Sequence, residues 1–304
     1  MELLWELNEK DASSKQVAQQ LAGKNFFILD MDGTIYLDRT PIPGAIDFVR
    51  WLKTNRKDFV LLTNNSSKSS ETYYKTLSYM GFEIDRANLC TSNNATILFL
   101  KDRLSGKRIL FMGTSDAAEE YKKQGVDIAL PFDRCMDTTY DAVVLGYDTG
   151  LSYEKLKNFC HWVRKGLFYI STHPDINCPS LEGPLPDNGA MIALIRASTG
   201  RNPDVILGKP QAEMLQILLR RFGREKSETL IIGDRLYTDI RMGVENGVDS
   251  LLVLTGETKE ESILKALTSE GVDTAFPTFV SRSLSEMLAF VASADQSKKE
   301  AQNG

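Results

Sequence analysis

The chain has few of the residues that build disulfide frameworks or soft-metal sites. Only four cysteines and two histidines occur in 304 residues. Cys90, Cys135, Cys160 and Cys178 are dispersed, with no Cys-x-x-Cys pair and no zinc-ligand spacing. Neither a disulfide framework nor a zinc centre is expected, and each thiol is expected to pack as a small apolar side chain in a reducing cytoplasm. With only His161 and His173 present, neither is expected to form a metal site. His161, beside Trp162 in a helical stretch, reads as packing or surface. Long apolar runs are also missing, so no bilayer-spanning segment is expected. The opening residues, Met1-Glu2-Leu3-Leu4-Trp5-Glu6, carry early acids, unlike a secretory signal. A strong charge of one sign is absent too. The net charge of -5 gives no pull toward nucleic acid or an acidic membrane, so an anionic substrate would need local groups to hold it.

What is present is a globular composition, 42% hydrophobic and 25% charged, long enough for one large domain or two ordinary ones. The chain is organised around Phe26-Phe27-Ile28-Leu29, an apolar run followed by Asp30-Met31-Asp32-Gly33-Thr34. A continuous apolar run predicts a strand buried on both faces, as in a parallel sheet covered by helices. Ligands of such sheets bind beyond the carboxyl ends of the strands, where Asp30 and Asp32 fall. Side chains two apart on an extended chain point the same way, so both carboxylates can serve one site. Crowded carboxylates call for a hard cation such as Mg²⁺. Gly33 supplies the freedom for a tight exit turn.

The pattern repeats along the chain. A modest helix is expected over 13–22, and a second after Pro43-Gly44, with Ala45, Ile46, Phe48, Val49 and Leu52 at helical spacing. The strand Phe59-Val60-Leu61-Leu62 ends in Thr63-Asn64-Asn65-Ser66-Ser67, before a helix carrying Tyr73, Tyr74, Leu77 and Met80. Strands at 108–112, 141–146 and 167–171 alternate with helices near 115–124, 152–165 and 187–198, a middle third able to hold its own core. Thr199-Gly200-Arg201-Asn202-Pro203 reads as a linker. Val205-Ile206-Leu207 then leads to Lys209, a helix follows over 210–222, and the strand Thr229–Ile232 ends in Gly233-Asp234. Asp239 lies on the next helix, the strand at 250–254 ends in Thr255-Gly256, and the polar stretch from Ala292 to Gly304 is expected to fray. Strand–helix alternation predicts parallel pairing with right-handed crossovers.

Four polar features thus follow apolar strands: Asp30 with Asp32, Thr63 with Asn64, Lys209, and Asp234 with Asp239. If the strands belong to one parallel sheet, all four converge on one edge. Each has chemistry to offer there. Asp30 can attack phosphorus, and Asp32 can protonate a leaving oxygen and then deprotonate water. Asp30, the Asp32 carbonyl and Asp234 can hold Mg²⁺. Thr63 offers a hydroxyl, and the amides after it open a helix suited to an anion. Lys209 offers a point charge, and Asp239 suits the orientation of Lys209 or of a metal-bound water. Taken singly, each is ordinary: a helix cap, a surface lysine, a turn former, a solvated helix face. Their joint order is not.

DMDGT at 30–34, LLTNNS at 61–66, LGKP at 207–210 and GDRLYTD at 233–239 resemble the four ordered motifs of the haloacid dehalogenase superfamily. The resemblance spans about residues 25 to 256 and is closest to the 4-nitrophenylphosphatase/NagD-like branch of sugar-phosphate phosphatases. It implies an α/β fold: a doubly wound, Rossmann-like parallel-sheet core over 1–82 and 204–304, with a large α/β cap inserted over 83–203. It also implies Asp30 as nucleophile and Asp32 as general acid/base. Thr63, Asn64 and Lys209 would bind phosphate, Lys209 also serving catalysis. Asp30, Asp32 and Asp234 would hold Mg²⁺, supported by Gly33 and Asp239.

The expected activity is Mg²⁺-dependent hydrolysis of small phosphomonoesters through an aspartyl-phosphate. No nucleic-acid or membrane partner is expected, and caps of this branch often support homodimers. Two alternatives share the machinery: a phosphotransferase, in which an alcohol replaces water, and a non-catalytic sugar-phosphate-binding regulator. A regulator would be expected to have lost an acid, and Asp30, Asp32 and Asp234 are all present. Asp32 and Asp234 also argue against a metal-free dehalogenase.

The middle third carries further resemblances. Gly146-Tyr147-Asp148 resembles the family's G-[FY/L]-D strand end. Ser171-Thr172-His173-Pro174-Asp175 is similar to its T-N-P-D, with His173 where asparagine is common. Pro186-Asp187-Asn188-Gly189-Ala190 resembles P-G-[TS]-G-A. These loops are expected to face the leaving group, which makes Thr172, His173, Asp175 and Asn188 candidates for substrate selection.

Overall fold

The computed structural model describes residues 1–7, 12–132, 138–180, 182–261 and 275–292. Cys135 and the tail from 293 onward lie outside the described residues. The described chain falls into two compact units: one drawn from Met1–Leu62, Ser78–Ile84 and Leu215–Gly304, the other from Thr63–Leu77 and Asp85–Met214.

The first unit is built on a parallel sheet. Its strands run in the order Glu2–Leu3, Phe279–Ser281, Asp249–Val253, Thr229–Gly233, Phe26–Asp30, Asp58–Thr63. Every neighbouring pair is parallel, as the strand–helix alternation predicts. Phe26–Asp30 and Thr229–Gly233 are buried along their whole length, which explains their unbroken apolar character. From Phe26–Asp30 the chain continues to the neighbour on one side and much later returns on the other. The crevice beyond these strands is therefore a topological switch point.

The helix Ala45–Thr54 buries Ala45, Phe48, Val49 and Leu52. Phe48 and Trp51 both meet Phe27 edge-on at 6.1 Å between ring centres. Each such ring taken fully from water contributes about 1.5–3 kcal/mol. A short hairpin, Tyr36–Leu37 with Thr40–Pro41, follows the acidic turn and was not legible as a strand pair.

The second unit has its own parallel sheet, in the order Val205–Ile206, Phe168–Ser171, Ala142–Leu145, Ile109–Met112, Ile128–Ala129. Alternate residues of one strand face opposite cores. Leu110 and Met112 join Phe159, Val163 and Ile195, while Ile109 and Phe111 join Ile97, Ala118 and Tyr121.

Two features depart from expectation. Val205–Ile206 does not join the sheet of Phe26–Asp30; it pairs with Phe168–Ser171 at the edge of the second sheet. Two β-branched, half-buried residues are an adequate edge strand, and the segment before them is tied to this unit. There Arg201 donates to the carbonyls of Val163 and Leu167 at 2.9 Å. The second departure is the helix Ser92–Arg103, whose polar start hid it. Thr91 caps it, and buried Asn93 spends its amide on the carbonyls of Ser66 and Lys68 at 3.1 Å. Among the described residues, no helix is long and apolar enough to cross a membrane.

Candidate active site

The register of the first sheet sets its acids side by side. Leu29 pairs with Ile232, so Asp30 and Gly233 end adjacent strands and Asp234 follows directly. Asp239 enters from Leu236–Ile240, a wide helical turn of π type rather than the regular helix expected, continued by the helix Arg241–Asn246. Ligand oxygens of Asp30, Asp234 and Asp239 lie within 4.8 Å of one another, and all three residues are buried. Asp32 is half-buried, and its backbone bridges to Tyr36.

Side chains and amides around the cluster set its geometry. Thr34 Oγ1 donates to Asp30 Oδ2 at 3.5 Å. The Glu257 N–H donates to Asp234 Oδ2 at 2.6 Å, and the Thr238 hydroxyl donates to Asp239 Oδ2 at 3.3 Å. Asp234 Oδ1 is buried and has no hydrogen-bond partner. Gly33 turns at φ 89°, and its carbonyl accepts from Thr255 Oγ1 at 2.7 Å. A Cβ at Gly33 would stand 2.6 Å from Asp234 Oδ2, one at Gly256 would overlap the same oxygen, and one at Gly233 would overlap the Asp239 carboxylate. Backbone therefore closes against Asp234 and Asp239 at these three glycines, with no room for a side chain at any of them.

Burial pushes the Asp234 carboxyl well above the usual carboxylate range, and the charges of Asp30 and then Asp239 push it the same way. An orphaned buried oxygen, three carboxylates and an all-oxygen donor set fit a hard divalent cation such as Mg²⁺.

The second unit gathers the other candidates. Thr63 Oγ1 accepts the Asn65 N–H at 3.0 Å, an arrangement in which a hydroxyl can still donate. Asn64 is committed to protein partners. Its Oδ1 accepts the Lys209 N–H at 2.7 Å, and its Nδ2 donates to the Lys209 carbonyl at 3.0 Å and to Asp175 Oδ1 at 2.8 Å. Lys209 is buried in the same unit.

The start of the helix that follows is occupied by protein groups at Ser69 and Ser70. That helix, Ser70–Tyr79, has its N-terminal amides taken by carboxylates. Ser69 N–H donates to Asp116 Oδ2 at 2.7 Å and Ser70 N–H to Glu120 at 3.2 Å. Acids satisfy a helix N-terminus as well as an external anion does.

Thr172, His173, Asp175 and Asn188 are all buried and cluster together. Thr172 Oγ1 shares a hydrogen bond with Ser66 Oγ at 2.9 Å. Asn188 Nδ2 donates to the His173 carbonyl and to Ser171 Oγ, both at 2.7 Å. His161 is half-buried and meets Trp162 edge-on at 5.4 Å. Two further contributors carry little signal in the sequence. One is the Thr255–Glu257 loop around Asp234, signalled only by a Thr-Gly at a strand end. The other is Asp187, whose Oδ1 caps the helix Asn188–Thr199 by accepting the Asn188 N–H at 2.6 Å.

Comparison with known proteins agrees with this geometry. Residues 27–127 match the family described as Haloacid dehalogenase-like hydrolase, and residues 206–287 match a second, HAD-hydrolase-like family. An acid sugar phosphatase of Staphylococcus haemolyticus is 33% identical over 242 residues, 79% of this chain and 89% of that protein. The crystal structure of a 4-nitrophenylphosphatase from Thermotoga maritima superposes with a TM-score of 0.81 at 42% identity, covering 89% of this chain and 98% of that one. A glycerol phosphate phosphatase from Mycobacterium tuberculosis, solved in complex with magnesium, superposes at 0.76 with 30% identity, covering 89% and 77%. Motif order, parallel-sheet fold and these likenesses agree: the chain belongs to the haloacid dehalogenase superfamily, in its 4-nitrophenylphosphatase/NagD-like branch of phosphatases.

Proposed function

We propose that this phosphatase hydrolyses small phosphomonoesters, such as sugar phosphates or nucleotides, with Mg²⁺ and through an aspartyl-phosphate on Asp30. The observation that carries the reading is the buried cluster of Asp30, Asp234 and Asp239, with the unpartnered Asp234 Oδ1 among them. Three buried carboxylates without a cation would repel one another strongly, so the arrangement makes sense as a cation site. Asp30, the Asp32 carbonyl and Asp234 would hold Mg²⁺, with Asp239 orienting the surrounding groups. When bound, the ion supplies charge neutralisation for the phosphoryl oxygens and the acids.

This chain's own residues carry the steps. Asp30 attacks phosphorus, and the bond from phosphorus to the leaving oxygen breaks as Asp32 gives that oxygen a proton. Asp32 then takes a proton from water, the water oxygen bonds to phosphorus, and the Asp30 carboxylate is released. Thr63 and Lys209 bind the phosphoryl group, and Asn64 holds Lys209. Residues 83–203 act as the cap that admits the ester and excludes bulk water, and the enzyme works in the cytoplasm.

The test is release of inorganic phosphate from 4-nitrophenyl phosphate and a panel of sugar phosphates and nucleotides, with Mg²⁺ or with EDTA. Turnover that needs Mg²⁺ and yields free phosphate even when an alcohol acceptor is present supports the reading. Undiminished turnover in EDTA, or transfer to the alcohol in place of hydrolysis, overturns it.

A further inference from the structure

The loop after the strand Asp249–Val253 holds the acids of the candidate metal site by three bonds. Thr255 Oγ1 donates to the Gly33 carbonyl at 2.7 Å, the Glu257 N–H to Asp234 Oδ2 at 2.6 Å, and the Thr258 N–H to the Asp234 carbonyl at 3.2 Å. The bond that orients the Asp234 carboxylate thus comes from the backbone of residue 257, and a backbone amide is only as well placed as its residue. The side chain of that residue is held in turn. Glu257 Oε2 accepts the Tyr237 hydroxyl at 3.0 Å and forms an ion pair with Arg235 Nε at 3.1 Å. Both partners belong to the stretch that carries Asp239: Tyr237 lies within Leu236–Ile240, and Arg235 directly precedes it. The Arg235 N–H also donates to Asp239 Oδ2 at 3.4 Å, and its carbonyl accepts the Ile240 N–H at 3.2 Å.

An exposed ion pair adds little stability by itself. Here the guanidinium side chain is only 9% exposed, and it reaches a carboxylate that is 44% exposed. The pair closes a ring. It runs from Asp234 along the chain to Arg235, across to the Glu257 side chain, and back through the Glu257 N–H to the Asp234 carboxylate. A residue held through both its backbone and its side chain resists the tilt that a single bond allows. We infer that Arg235, Tyr237 and Glu257 are positioning residues for the cation: they brace the loop so that the Glu257 N–H keeps Asp234 Oδ2, which leaves the buried, unpartnered Oδ1 as the metal ligand. The inference rests on Mg²⁺ binding at Asp234. Charge alone makes a different prediction. The Glu257 carboxylate attracts a cation and the Arg235 guanidinium repels it, so losing the first would weaken Mg²⁺ and losing the second would tighten it. A brace fails in the same direction whichever end is cut, and Tyr237, which carries no charge, fails with it.

The test is a mutant cycle on the full chain: Glu257→Ala, Tyr237→Phe, Arg235→Met and the double variant Arg235→Met with Glu257→Ala. Mg²⁺ affinity is read by calorimetry without substrate, stability by melting temperature in EDTA, and kcat with 4-nitrophenyl phosphate is followed against Mg²⁺ concentration. Glu257→Ala and Arg235→Met are each expected to weaken Mg²⁺ about tenfold, and Tyr237→Phe about threefold. The double variant is expected to lie within about threefold of either single, since both cut one brace. At saturating Mg²⁺, kcat is expected to return to within about threefold of wild type, because the ligands themselves are intact. Lys24→Met, which breaks an ion pair at the opposite end of the same sheet, is the control for softening of the fold. It is expected to lower the melting temperature and to change Mg²⁺ affinity less than about twofold. If Arg235→Met does not fold, Arg235→Lys takes its place: it keeps the charge but not the planar reach, and is expected to weaken Mg²⁺ about threefold where charge alone predicts no change. Tighter Mg²⁺ binding in Arg235→Met, wild-type affinity in Tyr237→Phe, additive losses in the double variant, or an equal loss in Lys24→Met would overturn the inference. If Asp234→Asn binds Mg²⁺ as tightly as wild type, the metal reading fails first and this inference with it. Loss of Mg²⁺ in Asp234→Asn, with wild-type affinity in the brace variants, would overturn the inference alone.

Discussion

Asn64 grips Lys209 by both ends of its backbone, accepting the N–H at 2.7 Å and donating to the carbonyl at 3.0 Å. The two residues are far apart in sequence, and the bonds are buried, where an amide left unmatched costs about 1–3 kcal/mol. Asn64→Ala is therefore expected to lower kcat/KM for 4-nitrophenyl phosphate by about 10- to 100-fold, mainly through KM. Steady-state kinetics check this, with circular dichroism confirming that the variant is folded. An unchanged KM would show that the clamp does not position a phosphate ligand.

Asp234 carries the oxygen that awaits a partner. Mg²⁺ is expected to raise the melting temperature of the wild-type protein, by about 2.7 kcal/mol of added stability at a hundredfold excess over its Kd. In Asp234→Asn the metal-induced shift should largely vanish. Differential scanning fluorimetry with Mg²⁺ and with EDTA reads this without any substrate. An equal shift in both proteins would move the metal site elsewhere.

Lys155 and Asp148 form a buried ion pair at 2.8 Å in the second unit, with side chains 9% and 0% exposed. Lys155 also donates to the Gly150 carbonyl at 3.1 Å, holding the turn after the strand Ala142–Leu145. Removing one partner strands the other charge, so Lys155→Met should destabilise by about 3–5 kcal/mol. Denaturant unfolding gives the value, and a loss well under 1 kcal/mol would mean that water reaches Asp148 readily.

Lys24 lies 2.7 Å from Asp249 in the first unit. Burial works to raise the Asp249 carboxyl, but the hydrogen bond and charge of Lys24, helped by Gln20 and Thr278, outweigh it and hold the group below its ordinary value. A carboxyl depressed on folding contributes stability above its unfolded pKa, near 4, and loses it as the pH falls through its folded value. Lys24→Met should thus cost about 1 kcal/mol at pH 7, and the difference from wild type should shrink below about pH 4. Melting temperatures across that range decide it. A difference that grows in acid would contradict the sign.

Much of the molecule is legible from local pattern. Apolar runs ending in Asp30, Thr63 and Asp234 gave both the strands and the polar ends, because a parallel sheet buried on both faces leaves polar side chains only at its rims. The helix Ser92–Arg103 was not legible, since Asn93 is buried for its hydrogen bonds and breaks the apolar periodicity. Val205–Ile206 resembled the first sheet in sequence but pairs in the second, because two residues carry no signal for their partner. The meeting of His173 with Asp187 depends on two loops folding together, which spacing cannot disclose. The carboxylates at the start of Ser70–Tyr79 were hidden likewise, since Asp116 and Glu120 come from a helix more than forty residues away.

The central claim is that Asp30 is the attacking group, and one substitution tests it most directly. Asp30→Asn removes the nucleophile with almost no change in shape. With saturating Mg²⁺ and 4-nitrophenyl phosphate, turnover is expected to fall by at least about a thousandfold, while melting temperature and circular dichroism stay close to wild type. Full activity in a folded Asp30→Asn protein would contradict the account.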